Sequence, residues 1–420
     1  MHKFMLNNFI FNNITILFLT TAVLITILTL ISAWKKIKNY KSLFVVNFIF
    51  FLISFGIVVS TKNWFIFMIG WEIISLTTAL ILIWDSKDLA WEYFVIQFVG
   101  GSFLILTILV AYTNGYHTLG PINELWLQLM FIVGVGVKSA IIGFHIWLPY
   151  IYKRASASFC SISSALVAKL GYVILLKIIT NGNRALLYLG IIMIFYGGIK
   201  ALANKNYKLI LSYSSISQFG FICLAIGSGN QYGYYGAVLH IIAHAFAKST
   251  LFNTAQNWIL KFKSNSIFDF SASLKELNIN TISTIIAFLS LMAFPLFIGY
   301  NSKYLIKYSL NSIPIFKFLL HLGSILTVTY VFKVLSIIFL ADYKEKSIEK
   351  KVELNYQLSS LENIAVLIPS IILFVLAIKP DLYLDYYFKV NYLSAFITTS
   401  IYILIAYLIK IPLISRIKNQ

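Results

Sequence analysis

A helix needs about 20 consecutive apolar residues to cross the hydrocarbon layer of a bilayer. This chain repeats such a stretch thirteen times: roughly 9–33, 43–60, 64–84, 91–112, 126–149, 158–180, 185–203, 208–228, 233–260, 279–308, 313–340, 363–379 and 391–412. That recurrence leaves little choice of fold class. Barrel strands are half as long and alternate in polarity, so the runs read as helices. With 60% hydrophobic and 11% charged residues over 420 positions, no soluble domain of this length is compatible with the sequence. The longest polar stretches, Lys261–Asn278 and Asp342–Glu362, are loops rather than domains. The expected fold is an all-α polytopic membrane protein of about 13 transmembrane helices.

A formal net charge of +19 raises nucleic acid as a partner, but the basic residues form no single stripe. They collect in alternate connections. One side carries Lys35, Lys36, Lys38 and Lys41, then Lys87, Lys153, Arg154, Lys205, Lys261, Lys263, Lys275, Lys344, Lys346, Lys350 and Lys351, and the tail adds Arg416 and Lys418. The other side carries Lys62, Arg184 and Lys389. This is positive-inside patterning, which places the N-terminus outside and the C-terminus in the cytoplasm or matrix of a bacterial or mitochondrial inner membrane. It argues for a lipid bilayer and against nucleic acid. The two cysteines, Cys160 and Cys223, lie far apart in apolar segments and are expected to be free buried thiols. The first run, Phe9–Trp34, lacks a small-residue cleavage site and has most of its lysines after it, so it reads as a span rather than a secretory signal.

Two spans are unlike the others. Gly134–Tyr150 reads GVGVKSAIIGFHIWLPY, with Lys138 and His145 about two turns apart and Gly143 and Pro149 positioned to break a helix. The span 279–308 has Pro295 and Gly299 in its middle, followed by Lys303 and Lys307. Each is the fourth helix in a set of five, 43–180 and 185–340. Because five is odd, the second set enters from the opposite side. The reading is two inverted five-helix repeats, each with a discontinuous helix, an arrangement used by transporters whose ion path lies near the midplane. The remaining units are 1–42, one helix with a basic loop, and 341–420, a loop with two C-terminal helices.

Ionisable groups inside spans are expensive and mark functional paths by default. Glu72 is the one acidic side chain placed in mid-span, and Lys138 is its obvious counter-charge. Lys169 is a second buried lysine, while Lys177, near a helix end, reads equally as an interface anchor. His240, His244 and Lys248 fall at i, i+4 and i+8, one polar stripe on an apolar helix. A His pair at this spacing can bind a metal, but no HExxH pattern or nearby carboxylate accompanies it, which favours a proton relay. Lys303 closes the series. His145, His240 and Lys333 extend the list of relay candidates, with a structural role for Lys333 at helix ends or lipid phosphate as the alternative. His321 reads as an isolated core histidine. There is no GxGxxG, P-loop or CxxC motif, so no catalytic, cofactor or metal site is expected in this chain and electrons would be carried elsewhere.

The segment VKSAIIGFHIWLPYIYKRASASFCSISSALVAKLGY resembles the signature of the proton-conducting antiporter-like family, roughly VKxPxxPxHxWLPxAHxxAPxxxSxxLxxxxxKxGxYG. That family comprises the large membrane subunits of respiratory complex I, subunits of multi-subunit Mrp-type sodium/proton antiporters, and related hydrogenase subunits. WEIISL, KLILSYSSISQFGF, HIIAHAFAKSTLF and GYNSKYL agree in the same order, over about 60–340. The resemblance implies a central hydrophilic axis. It matches Glu72 and Lys138 to the family's Glu–Lys pair, Lys169 to the connecting lysine, His244 and Lys248 to the central His and Lys, and Lys303 to the distal charge. It also implies partner membrane subunits, and protons as the ion with Na+ as the alternative. The sequence departs from the family at Ala140, Gly143 and Ser156, where prolines are usual, at Tyr150 and Tyr152 after WLP, in the Asn206–Leu209 stretch where DLKR is usual, and at Gln218, where some members have histidine. A single helix precedes the first repeat, fewer than in most members. The expected function is proton translocation as a subunit of an NADH:quinone oxidoreductase or a related antiporter complex. The competing readings are a non-conducting structural paralogue and a stand-alone small-solute permease.

Overall fold

Asparagine and serine residues set the starts of the helices. Asn12, Asn63, Asn183, Asn206, Asn230 and Asn278, with Ser86 and Ser156, each accept a hydrogen bond from a first-turn backbone N–H. Such caps satisfy amides that no helix can pair internally. The computed structural model describes residues 9–34, 41–270, 278–339, 360–378 and 396–407. The basic loop residues Lys35, Lys36, Lys38, Lys275, Lys344, Lys346, Lys350, Lys351 and Lys389, and the tail residues Arg416 and Lys418, lie outside them.

The elements are α1 (Asn13–Ala33), α2 (Lys41–Ser60), α3 (Trp64–Ile83), α4 (Lys87–Thr113), α5 (Leu125–Gly136), α6 (Trp147–Arg154), α7 (Ala157–Ala165), α8 (Leu170–Ile178), α9 (Arg184–Ala203), α10 (Tyr207–Gly227), α11 (Gln231–Phe262), α12 (Ile279–Leu291), α13 (Ile298–Ser309), α14 (Pro314–Phe339), α15 (Ser360–Ile378) and α16 (Phe396–Tyr407). Each of the thirteen apolar stretches is therefore helical over most of its described residues. Among the described residues, nine spans are long and apolar enough to cross a membrane uninterrupted or nearly so. The others are the two interrupted spans, the more polar α11, and α16. β-pairing among the described residues is confined to isolated bridges.

The centre of the molecule is built from α7–α8, α10 and α11. Ala157–Ile178 is buried except at Lys177, α10 almost fully, and α11 packs against α13, α10, α7, α12, α15 and α1. The outer helices present Phe50, Ile53, Phe98 and Leu106 on their exposed faces. So apolar a surface is stable against hydrocarbon or partner helices, not water.

Both foreseen interruptions are present. In the first, α5 stops at Gly136 and helix resumes at Trp147. Ala140 and Gly143 adopt left-handed backbone conformations between them. The carbonyls released there find side chains: Trp147 Nε1 donates to Val137 O at 2.6 Å, and the Tyr172 hydroxyl donates to Ser139 O at 2.9 Å. Irregular backbone at membrane depth is tolerated only when so compensated. The second interruption separates Leu291 from Ile298 and differs from the expectation in detail. The left-handed residues are Ala293 and Leu296, on either side of Pro295. Gly299 lies inside α13, where a Cβ would stand 1.9 Å from Ser290 O. Its role is to let the two half-helices approach, not to break the helix.

A third interruption was not legible. The span 158–180, expected as one helix, ends its first piece at Ala165, passes through a 3-10 turn at Val167–Lys169, and resumes at Leu170. The Lys169 side chain folds back onto the carbonyls of Ser164 and Ala165, the last turn of α7.

Candidate functional site: a buried row of lysines and histidines

The first station lies between α3, α4 and the interruption after α5. Lys138 is buried and donates to Trp71 O at 2.7 Å and to Ser75 Oγ at 2.8 Å, with its ammonium 4.1 Å from the Trp71 ring centroid. Glu72 is half-buried, its Oε1 enclosed without a hydrogen-bond partner, and it interacts electrostatically with Lys138. The two charges are thus neighbours, while the hydrogen bonds of Lys138 go to α3 backbone and serine. The space for the carboxylate comes from Gly101 on α4: a Cβ there would stand 2.0 Å from Glu72 Oε1.

The centre is formed where α7–α8, α10 and α11 meet. Lys169 is held by the end of α7 as described, with its ammonium 5.7 Å from the Phe219 ring. Lys248 donates to Leu211 O at 2.8 Å and to Ser214 Oγ at 2.5 Å. Lys138 and Lys248 use the same device, a helix carbonyl plus a serine three or four residues on. His244 packs edge-on against Phe219, and both its ring nitrogens are buried without a protein partner. Buried polar atoms of this kind are ordinarily satisfied by water. His244 lies close enough to Lys169, Lys248, His240 and Lys303 to interact electrostatically with each.

The far end repeats features of the first station. His240 Nδ1 and Ser302 Oγ are 2.9 Å apart, and the His240 and His244 rings stack 6.5 Å apart. Lys303, on α13, donates to Leu291 O at 3.2 Å across the interruption, with its ammonium 4.2 Å from the Phe221 ring. In each repeat, then, the lysine of the interrupted helix sits over an aromatic ring of the second helix, Trp71 on α3 or Phe221 on α10.

Not every candidate joins the row. Lys333 donates to Leu202 O and Asn204 O, at 2.7 and 2.6 Å, and so closes the C-terminal end of α9. Lys177 does the same for Val59 O at the end of α2. Lys169 and Lys303 also rest on last-turn carbonyls, where helix dipoles favour cations. His145 packs against Tyr196, its Nδ1 unpartnered. Both cysteines are free and buried. Among the described residues, no three His, Cys, Asp or Glu side chains gather. Sequence reasoning missed Ser75, Ser214 and Ser302, the aromatic rings under the lysines, and Gly101. Ser75 and Ser214 lie about one helical turn after Trp71 and Leu211, and Ser302 adjoins Lys303 in GYNSKYL, but which side chain each hydroxyl meets is a tertiary fact.

These features define a class: a multi-pass membrane protein with interrupted helices, buried lysines at the interruptions, and a central cluster of buried lysines and histidines. A family model described as NADH:quinone oxidoreductase/Mrp antiporter, transmembrane, matches residues 61–329, and the chain belongs to that family. It is 26% identical over 273 residues to NADH-quinone oxidoreductase subunit M of Escherichia coli K12, covering 57% of this chain and 54% of that one. It is 29% identical over 254 residues to the chloroplastic NAD(P)H-quinone oxidoreductase chain 4 of Lolium perenne, covering 54% and 50%. Subunit M of Rickettsia prowazekii aligns further, at 24% identity over 85% of this chain and 78% of that one. The matches thus span about half the length of the first two relatives. In fold, the chain is similar to one in respiratory complex I from Thermus thermophilus with bound aureothin: TM-score 0.73, 19% identity, 89% of this chain and 87% of that one.

Proposed function

We propose that this chain is a proton-translocating, antiporter-like membrane subunit of a multi-subunit complex, an NADH:quinone oxidoreductase in the first instance, in which protons move along Glu72, Lys138, Lys169, His244, Lys248 and Lys303. The observation that carries this reading is the cluster around His244. One imidazole with two unpartnered nitrogens lies within electrostatic reach of Lys169, Lys248, His240 and Lys303. An imidazole donates at one nitrogen and accepts at the other, so it can pass a proton between two lysines without leaving its place. A lysine in such surroundings holds or releases its proton according to neighbouring charge, and Glu72 supplies such a charge to Lys138. A change at the Glu72 end would therefore propagate as alternating occupancy along the row.

His240 joins the row through Ser302. His145 stands beside the first interruption as an accessory group, and Lys333 serves α9 rather than the row. Repeats over 43–180 and 185–340, with flanking units at 1–42 and 341–420, are the matching division of the chain. The charge asymmetry of the loops supports an N-terminus outside and a C-terminus in the cytoplasm or matrix. No redox group is assigned to this chain, and the driving electron transfer belongs to partner subunits.

The test is vectorial proton movement in vesicles containing the assembled complex. Lys138→Ala and Glu72→Ala are each expected to abolish it without loss of assembly. Wild-type pumping by both variants refutes the relay. Co-purification with iron–sulfur and quinone-reducing subunits, rather than small Mrp-type subunits, supports the oxidoreductase assignment.

A further inference from the structure

Lys303 is the last charge of the row, yet it is not sealed. It lines a cavity of about 110 Å³ between α13, α14 and α16, together with Tyr304, Lys307, His321, Ser324 and Tyr402. A space of this size with several polar walls meets what water needs, since each molecule occupies about 30 Å³ in the liquid and wants two or more polar partners. Lys307 and His321 are partly exposed, so the cavity wall carries ionisable groups between the buried amine and the outside of the helix bundle. His321 Nδ1 and the Tyr402 hydroxyl are hydrogen-bonded, which joins α14 to α16 at the wall of this space.

We infer that this cavity is the site of proton exchange between Lys303 and bulk water, with His321 as the exchanging group and Tyr402 as the residue that positions it. This rests on the relay reading given above. In one direction, the Lys303 ammonium gives a proton to a cavity water. With His321 Nδ1–H donating to the Tyr402 oxygen, Nε2 is the basic nitrogen; the cavity water passes a proton to Nε2, and the imidazolium then gives a proton from Nε2 to an outer water, which restores the neutral ring. Only N–H and O–H bonds break and form. The reverse sequence loads Lys303. A histidine that reads from sequence as an isolated core residue is here the second titratable group of the route. Tyr402, from α16, fixes its ring and ties the route to the C-terminal segment.

Two measurements on the assembled complex in sealed vesicles decide it. In the first, Ser324→Cys is treated with a small charged methanethiosulfonate. Cys160 and Cys223 are fully buried and supply a low background. Labelling at least tenfold faster than in the unsubstituted complex is expected, and labelling no faster than background means a dry cavity and overturns the inference. In the second, His321→Leu is expected to slow proton movement at least fivefold while Tyr402→Phe slows it about twofold to threefold. If Lys138→Ala stops pumping but His321→Leu pumps at the wild-type rate, this inference fails alone. If both pump normally, the relay itself fails and this inference with it. If His321→Leu does not assemble, the labelling result decides.

Discussion

The tightest geometric demand at the first station is on Gly101. Adding a methyl group there puts a carbon 2.0 Å from Glu72 Oε1 and 2.9 Å from its Cδ. Ordinary contact begins near 3.4 Å, so the carboxylate must retreat by about 1.4 Å. The clashing atoms are the far end of a flexible side chain, and alanine is about 1 kcal/mol better than glycine within a helix. Folding is therefore not the casualty. The loss falls on the position of Glu72. Misplacement on the order of 1 Å costs up to about a hundredfold in alignment-dependent reactions. We expect Gly101→Ala to assemble at wild-type levels and to lose at least about tenfold in proton movement. The neighbouring Gly100 is the control. There a Cβ would stand 2.5 Å from Val137 Cβ, which has no flexible chain to swing aside, so Gly100→Ala should reduce assembly itself. The assay pairs subunit abundance in purified membranes with acidification of sealed vesicles. Pairing Gly101→Ala with Glu72→Asp, one methylene shorter, should restore part of the rate. Wild-type pumping by Gly101→Ala, or equal assembly defects in both alanine variants, would falsify this account of the glycine pair.

Other perturbations separate structure from transport. Lys333→Met strips the carbonyls of Leu202 and Asn204, at the C-terminal end of α9, of their donor and should cost about 1–3 kcal/mol of stability, read as a lower unfolding temperature, with proton movement per turnover unchanged. Ser214→Ala removes the 2.5 Å partner of Lys248 and should slow pumping with little change in assembly, which the same vesicle assay reports. Ser302→Ala frees His240 Nδ1, and a cycle with His240→Ala should show the two effects to be non-additive.

The architecture was largely legible because hydrophobic length is a property of each segment alone. The thirteen helical stretches follow from runs of apolar residues, and the caps from asparagine placed just before several of them. The two foreseen interruptions follow from Gly143 and Pro295. What could not be read depends on neighbours. The break at Val167–Lys169 has no glycine or proline to announce it, and a lysine bonded to its own preceding turn marks the place. Gly101 is one glycine among the 21 of the chain, distinguished only by a carboxylate on the next helix. Lys138 and Lys333 look alike in sequence, each a lone lysine in an apolar run. One rests beside a carboxylate and a serine, the other on the end of a helix, and only packing separates them. His321 gains its context from α16, some eighty residues further along the chain.

The central claim is that charge passes through the interior row, and Lys248 lies at its middle, buried on α11 beside His244. Lys248→Met keeps most of the volume and removes the titratable group. The direct measurement is the number of protons moved per electron pair in vesicles holding the assembled complex. The account predicts normal assembly with a reduced ratio for Lys248→Met. An unchanged ratio in an intact, coupled complex would contradict it.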